Sequence, residues 1–142
     1  MAGSQIATLG AGSKFYYEDP GSPGVFILLA GALNIGEVGE QGEFIETTPI
    51  AALVREYIAG LKTPPNKTVT FNDQPGDADY VAFLALVDAD STVKFRVDYS
   101  NNHRAEFTLV LNGRIMQEAD GGSQLKMNIF GQQSGATDWT VI

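Results

Sequence analysis

Apolar residues in this chain recur mostly at alternate positions. From Thr92 to Tyr99, Val93, Phe95, Val97 and Tyr99 fall on one side of an extended backbone, and Lys94, Arg96 and Asp98 on the other. Arg104 to Gln117 repeats the pattern with Phe107, Leu109 and Leu111, and Gln124 to Phe130 repeats it with Leu125, Met127 and Ile129. Lys67 to Asn72 alternates as well. Each segment predicts a half-buried strand. Ser100-Asn101-Asn102-His103 and Asp120-Gly121-Gly122-Ser123 supply the turns between the later ones. Nearer the N-terminus, the aromatic Lys14-Phe15-Tyr16-Tyr17 and the unbroken apolar run Val25 to Leu29 flank the turn-rich Asp19-Pro20-Gly21-Ser22-Pro23-Gly24. They predict a hairpin whose second strand is buried on both faces. Gln132 to Asp138 reads as a short tail leading to a last strand, Trp139 to Ile142.

One segment has a clear helical period. Tyr80, Phe83, Leu84 and Val87 are spaced i, i+3, i+4, i+7, and Asp77-Ala78-Asp79 in front offers a cap and an acidic first turn. A helix over about Asp77 to Ala89 is predicted. Ile50 to Leu61 also has helix-like spacing at Leu53, Val54, Tyr57, Ile58 and Leu61, with Gly60 and Pro64-Pro65 to end it. A strand from Val54 to Ile58 fits the same residues, and pattern does not choose between them. Many short antiparallel strands around a single helix imply a mainly β fold, a sandwich or small barrel with one flanking helix.

Gly36 to Pro49 is unlike the rest. Glu37, Glu40, Glu43 and Glu46 recur every third residue with no basic residue among them, and Gly36, Gly39 and Gly42 oppose a helix. An extended, mobile acidic loop or ribbon is expected. Val38 and the pair Phe44-Ile45 are interspersed among the glutamates, and apolar residues on an exposed segment suggest a partner surface.

Composition narrows the function. The chain has 142 residues, enough for one domain with its own core. It has no cysteine and one histidine, His103, which excludes disulfides, thiolate metal sites and a histidine-rich metal cage. A formal charge of −8 disfavours a reader of nucleic acid or an anionic membrane. No apolar stretch is long enough to span a bilayer, so no membrane anchor is expected, and the N-terminus lacks the pattern of a signal peptide. We find no G-x-S-x-G, H-E-x-x-H or Walker motif. Asp77-x-Asp79 and Asp88-x-Asp90 do not continue into a calcium loop. His103 reads as an exposed turn residue, and Glu18-Asp19 as part of a solvated loop. Trp139 reads as a core or subunit-contact residue. No enzymatic activity, metal or cofactor is expected.

In order along the chain, Leu9-Gly10-Ala11-Gly12-Ser13-Lys14-Phe15-Tyr16-Tyr17, Leu33-Asn34-Ile35-Gly36-Glu37, the acidic stretch ending in Phe44-Ile45-Glu46-Thr47-Thr48, Arg55 to Lys62, Thr68 to Asn72 and Gly135 to Val141 resemble the tail tube (major tail) proteins of long-tailed bacteriophages. No single piece is a fingerprint; their order over nearly the whole chain carries the likeness. The resemblance implies one tail-tube domain over 1–142, with an N-terminal arm at 1–12, a long acidic loop at 36–49 and a C-terminal segment at 132–142. It implies hexameric rings stacked into a tube, joined at its ends to other tail proteins. DNA would pass through the lumen without sequence-specific binding. The protein would reside in the virion tail after assembly in the host cytoplasm, and the resemblance favours the flexible, non-contractile kind of tail. Glu37, Glu40, Glu43, Phe44, Ile45, Glu46 and Trp139 are the candidate lumen or inter-subunit residues, with Asp98 and Glu106 as further candidates for lumen charge. The competing expectation is a carbohydrate- or ligand-binding β-sandwich module, which would need exposed aromatics such as Tyr16, Tyr17 and Tyr99 on one face.

Overall fold

The computed structural model describes residues 10–51, 53–63 and 66–142. Among these described residues, nine strands and one helix follow in the order β1 (Lys14–Glu18), β2 (Phe26–Leu28), β3 (Ala32–Asn34), β4 (Gln41–Glu46), β5 (Tyr57–Thr63), β6 (Asn66–Asn72), α1 (Ala78–Asp88), β7 (Thr92–Asp98), β8 (His103–Met116) and β9 (Lys126–Val141). Seven strands form one antiparallel sheet ordered β2-β1-β7-β8-β9-β6-β3, and β4 and β5 form a separate two-stranded ribbon. The large sheet curls into a half-barrel. The fold is thus mainly antiparallel β with one helix, as the alternating pattern implies.

The inward face of the curl carries the core. Alternation places Phe15 and Tyr17 of β1, Val69 and Phe71 of β6, Val93, Phe95 and Val97 of β7, Phe107, Leu109 and Leu111 of β8, and Met127 and Ile129 of β9 inside. The helix caps this surface with Tyr80, Phe83, Leu84 and Val87, all buried. It starts where expected: the Asp77 carboxylate accepts from the backbone N–H of Asp79 at 3.1 Å. It ends at Ala89, after which Asp90 takes a positive φ of 53° that the helix cannot continue. The core is dominated by rings. Phe83 meets Phe95 edge-on at 5.8 Å, and Phe95 stacks on Phe15 at 5.2 Å.

Three expectations change. The run Val25 to Leu29 is not buried on both faces: β2 is an edge strand paired only with β1, and of this run only Leu29 is fully buried. Its apolar run simulates a central strand, but among the described strands only β1 pairs with it, and outside it Phe26 meets the Arg96 guanidinium, 3.8 Å from its ring centre, instead of an apolar layer. Gln132 to Asp138 is not a tail: β9 runs unbroken from Lys126 to Val141 along β8, with register shifts at Glu106/Thr108 and Leu111/Gly113. Bulges absorb the irregular, Gly-containing sequence that had disguised it. Finally, His103 is not a free turn residue. It opens β8, half-buried, with its ring 5.1 Å from that of Trp139.

Candidate functional site

The strand alternative from Val54 to Ile58 holds only at its end: Val54, Arg55 and Glu56 lie outside any strand, and Tyr57 and Ile58 begin one. β5 covers Tyr57 to Thr63, and no helix forms among the described residues there. Glycine explains part of this. Gly60 lies against β4 so closely that a Cβ would meet the Glu43 carbonyl at 3.0 Å. The ribbon's other half, β4, is the middle of the acidic segment 36–49; Glu37 and Glu40 precede it in the stretch that leads into the strand.

The ribbon's apolar residues are exposed. Phe44 pairs with Ala59, Ile45 with Ile58, and Glu46 with Tyr57. Successive residues face opposite ways, so Phe44 and Tyr57 share one face, where their rings meet at 6.4 Å, and Ile45 and Ile58 share the other. Neither face is covered: Phe44 is 75% exposed and Ile58 54%. Towards the tip, Ile50, Leu53 and Val54 are also exposed. A ribbon apolar on both faces resembles an interior strand pair without its neighbours. Its outer backbone edges are also unpaired among the described strands.

The root of the ribbon, by contrast, is held tightly. The Glu40 carboxylate accepts three hydrogen bonds from β9: Thr137 N–H at 3.0 Å, Thr137 Oγ1 at 2.8 Å and Gln133 Nε2 at 3.2 Å. Gln133 and Thr137 are themselves buried, and Gln133 Nε2 also donates to Thr137 Oγ1 at 2.8 Å. The Thr137 backbone N–H, above all, holds the Glu40 carboxyl below its ordinary range; partial burial opposes this, and the Thr137 hydroxyl, the Gln133 amide and the Lys62 charge assist it. One residue earlier, Gly39 adopts φ 124° beside Trp139, and a Cβ there would meet the indole at 3.5 Å. Lys67 Nζ donates to the carbonyl of Glu37. Lys67 is only 5% exposed and its ammonium lies 4.9 Å from the Phe107 ring centre. Burial pushes its pKa down to about 8, against the pull of Glu37.

The sequence-derived candidates therefore divide. Glu37, Glu40 and Trp139 meet at the root and line one groove with Val38, Gln41 and Lys62. Phe44 and Ile45 lie out on the ribbon, with Glu43 and Glu46 exposed beside them; Glu46 faces Arg55 at 3.9 Å. Asp98 and Glu106 are elsewhere, on the outer face of the large sheet, already neutralised. Arg104 grips Asp98 through two bonds of 2.7 and 3.2 Å, and Lys94 and Arg96 both reach Glu106. Sequence reasoning missed Lys67, Gln133 and Thr137. Lys67 sits at an inward position of an alternating strand, the one signal that could have found it. Tyr16, Tyr17 and Tyr99 form no exposed aromatic platform, since Tyr17 is buried and the other two are half-buried. Among the described residues no group of three or more His, Asp or Glu side chains could hold a metal ion, and no helix is long and apolar enough to cross a membrane.

A curled antiparallel sheet with one helix and a separate two-stranded ribbon, apolar on both faces, is the architecture to be matched. Residues 6–128 match the model of the lambda-like phage tail tube family, and the chain belongs to that family. It is 28% identical over 95 residues to Structural protein 3 of Pseudomonas phage PAJU2, covering 66% of this chain. That alignment spans 57% of the relative's length. The fold is shared with the tail of a gene transfer agent particle determined with C6 symmetry (TM-score 0.72, 14% identity, 95% of this chain and 100% of that one). It is shared too with the SPP1 tail tube (TM-score 0.65, 16% identity, 92% and 78%). A chain of the anti-feeding prophage baseplate, 6-fold symmetrised, also has it (TM-score 0.71, 10% identity, 99% and 98%).

Proposed function

We propose that six copies of this chain close into a ring, that rings stack into the tail tube, and that DNA passes through the lumen on its way to the host. The observation that carries this reading is the ribbon whose two faces are both apolar and both uncovered. A monomer rarely exposes so much contiguous apolar surface, and a copy of the same chain is the partner that a tube supplies. The sixfold symmetry of the gene transfer agent tail, which shares the fold, supports the ring number. Phe44 and Ile45 would be buried between copies, with Glu43 and Glu46 at the rim of that contact. Residues 1–142 would act as one tail-tube domain, its N-terminal arm at 1–12 joining in stacking; residues 1–9 of that arm lie outside the described residues. Other tail proteins would close the tube ends.

The work is mechanical and electrostatic, with no bond made or broken. A net charge of −8 per copy makes a wall that repels phosphate, so DNA slides without adhering. Glu37, Glu43 and Glu46 are the acids of the ribbon segment with exposed side chains to contribute. Assembly would take place in the host cytoplasm, and the finished copy would reside in the virion.

Negative-stain electron microscopy of the full chain at rising concentration tests the reading. Rings or hollow tubes are expected, and a Phe44→Ser/Ile58→Ser double variant should give none. A chain that stays monomeric at every concentration, even when seeded with preassembled tail ends, would overturn it.

A further inference from the structure

The ribbon carries the contact surface, yet it touches its own subunit chiefly through its root. There the Glu40 side chain reaches the body through several bonds at once. Its partners, Thr137 and Gln133, lie 97 and 93 residues away on β9. β9 offers them because it departs from regular pleating there: Gly135 has φ 83°, and its carbonyl accepts from Gln133 Nε2 at 3.2 Å. The carboxylate is therefore met by donors fixed from both sides of an irregular backbone. Just before it, Gly36 and Gly39 have positive φ of 76° and 124° and would otherwise let the segment swing.

We infer that Glu40 is a positioning residue for assembly: docked on Thr137 and Gln133, it aims the β4–β5 ribbon in the free subunit before any partner arrives. This rests on the reading of the ribbon as the contact between copies. The side chain itself contacts no partner; it acts by preorganisation, sparing association the entropy of ordering a swinging ribbon. The Lys67 bond to the Glu37 carbonyl secures the same segment three residues earlier. A ribbon aimed in advance also explains how exposed apolar strands avoid folding back onto their own subunit.

Hydrogen exchange on the full-length chain, kept below its assembly concentration, reads the docking directly. Electron microscopy above that concentration reads the consequence. Thr137→Val removes the hydroxyl while keeping the shape, Thr137→Ser restores it, and Glu40→Gln removes the charge. In Thr137→Val and Glu40→Gln, amides of β4 and β5 should exchange about ten- to a hundredfold faster, the loss expected for charge-assisted hydrogen bonds. Amides of β7 and β8 should keep their wild-type protection, which shows that the body is folded. Both variants should need a higher concentration to form rings, and Thr137→Ser should behave as wild type. Unchanged ribbon protection in Thr137→Val and Glu40→Gln would overturn the inference. So would assembly at the wild-type concentration with a loosened ribbon. Wild-type protein that never assembles would instead reject the contact reading and leave the exchange comparison to decide the docking.

Discussion

The curled sheet and the β4–β5 ribbon are built from the same kinds of side chain and treat them in opposite ways. In the body, Phe71, Phe83 and Phe95 are buried completely by the chain's own helix and strands. In the ribbon, Phe44, Tyr57 and Ile58 lie in solvent. The difference lies in what stands opposite. Seven strands and a helix enclose one another, whereas two strands alone have nothing to close against. Apolarity thus marks two distinct things in one short chain: an interior already formed, and an exposed surface that, on the proposed function, a second copy would complete. The charged groups divide similarly. Asp98 and Glu106 are neutralised on the sheet's outer face, while Glu43 and Glu46 are exposed beside the ribbon's apolar faces, Glu46 with only a long, exposed contact of 3.9 Å to Arg55.

Substitutions on the two sides should therefore separate stability from assembly. The largest loss of stability is expected from Phe71→Ala, whose ring packs on Phe15, Tyr80 and Phe83. Urea unfolding of the monomer should show it weakened by about 3–5 kcal/mol. A smaller effect is expected from the buried cation at the junction of the two regions. Lys67 holds its proton less firmly when folded, with a pKa of about 8 against 10.5 when unfolded. The unfolded chain therefore binds more protons between these values, and stability should rise as pH climbs through that window, by about 3 kcal/mol in all. Lys67→Met should flatten that rise, and a pH series of unfolding midpoints measures it; an identical slope in the variant would exclude Lys67 as its source. The smallest effect on stability belongs to the ribbon. Phe44→Ser/Ile58→Ser should change the monomer's unfolding free energy by no more than about 0.5 kcal/mol while abolishing rings. A large loss of monomer stability in that variant would mean that the ribbon already packs on its own subunit, and the contrast between the regions would fail.

Much of this architecture is legible without coordinates. The helix is written locally, in the Asp77 cap and the spacing of Tyr80, Phe83, Leu84 and Val87, and it forms where those residues say. The strands β1, β6, β7 and β8 are equally plain, because a sheet buried on one face imposes a strict period of two. Where the neighbour is remote or missing, pattern misleads. Val25 to Leu29 has the composition of a central strand but stands at an edge. Ile50 to Leu61 has helical spacing only because the apolar residues of a ribbon exposed on both faces obey no single period. Gln133 and Thr137 carry no local sign of their role, since their partner Glu40 is more than ninety residues away.

The sequence by itself determined that the protein is mainly β with one helix, that it has no thiol chemistry, and that its acidic segment is unusual. Those properties follow from short-range periodicity and from counting. Only the tertiary structure decided which apolar residues are interior and which stay exposed, and which glutamate is hydrogen-bonded to the body rather than a surface charge. Burial and hydrogen bonding are relations between segments far apart in the chain. The long β8–β9 ladder and the curl of the sheet create them, and no window of local sequence contains them.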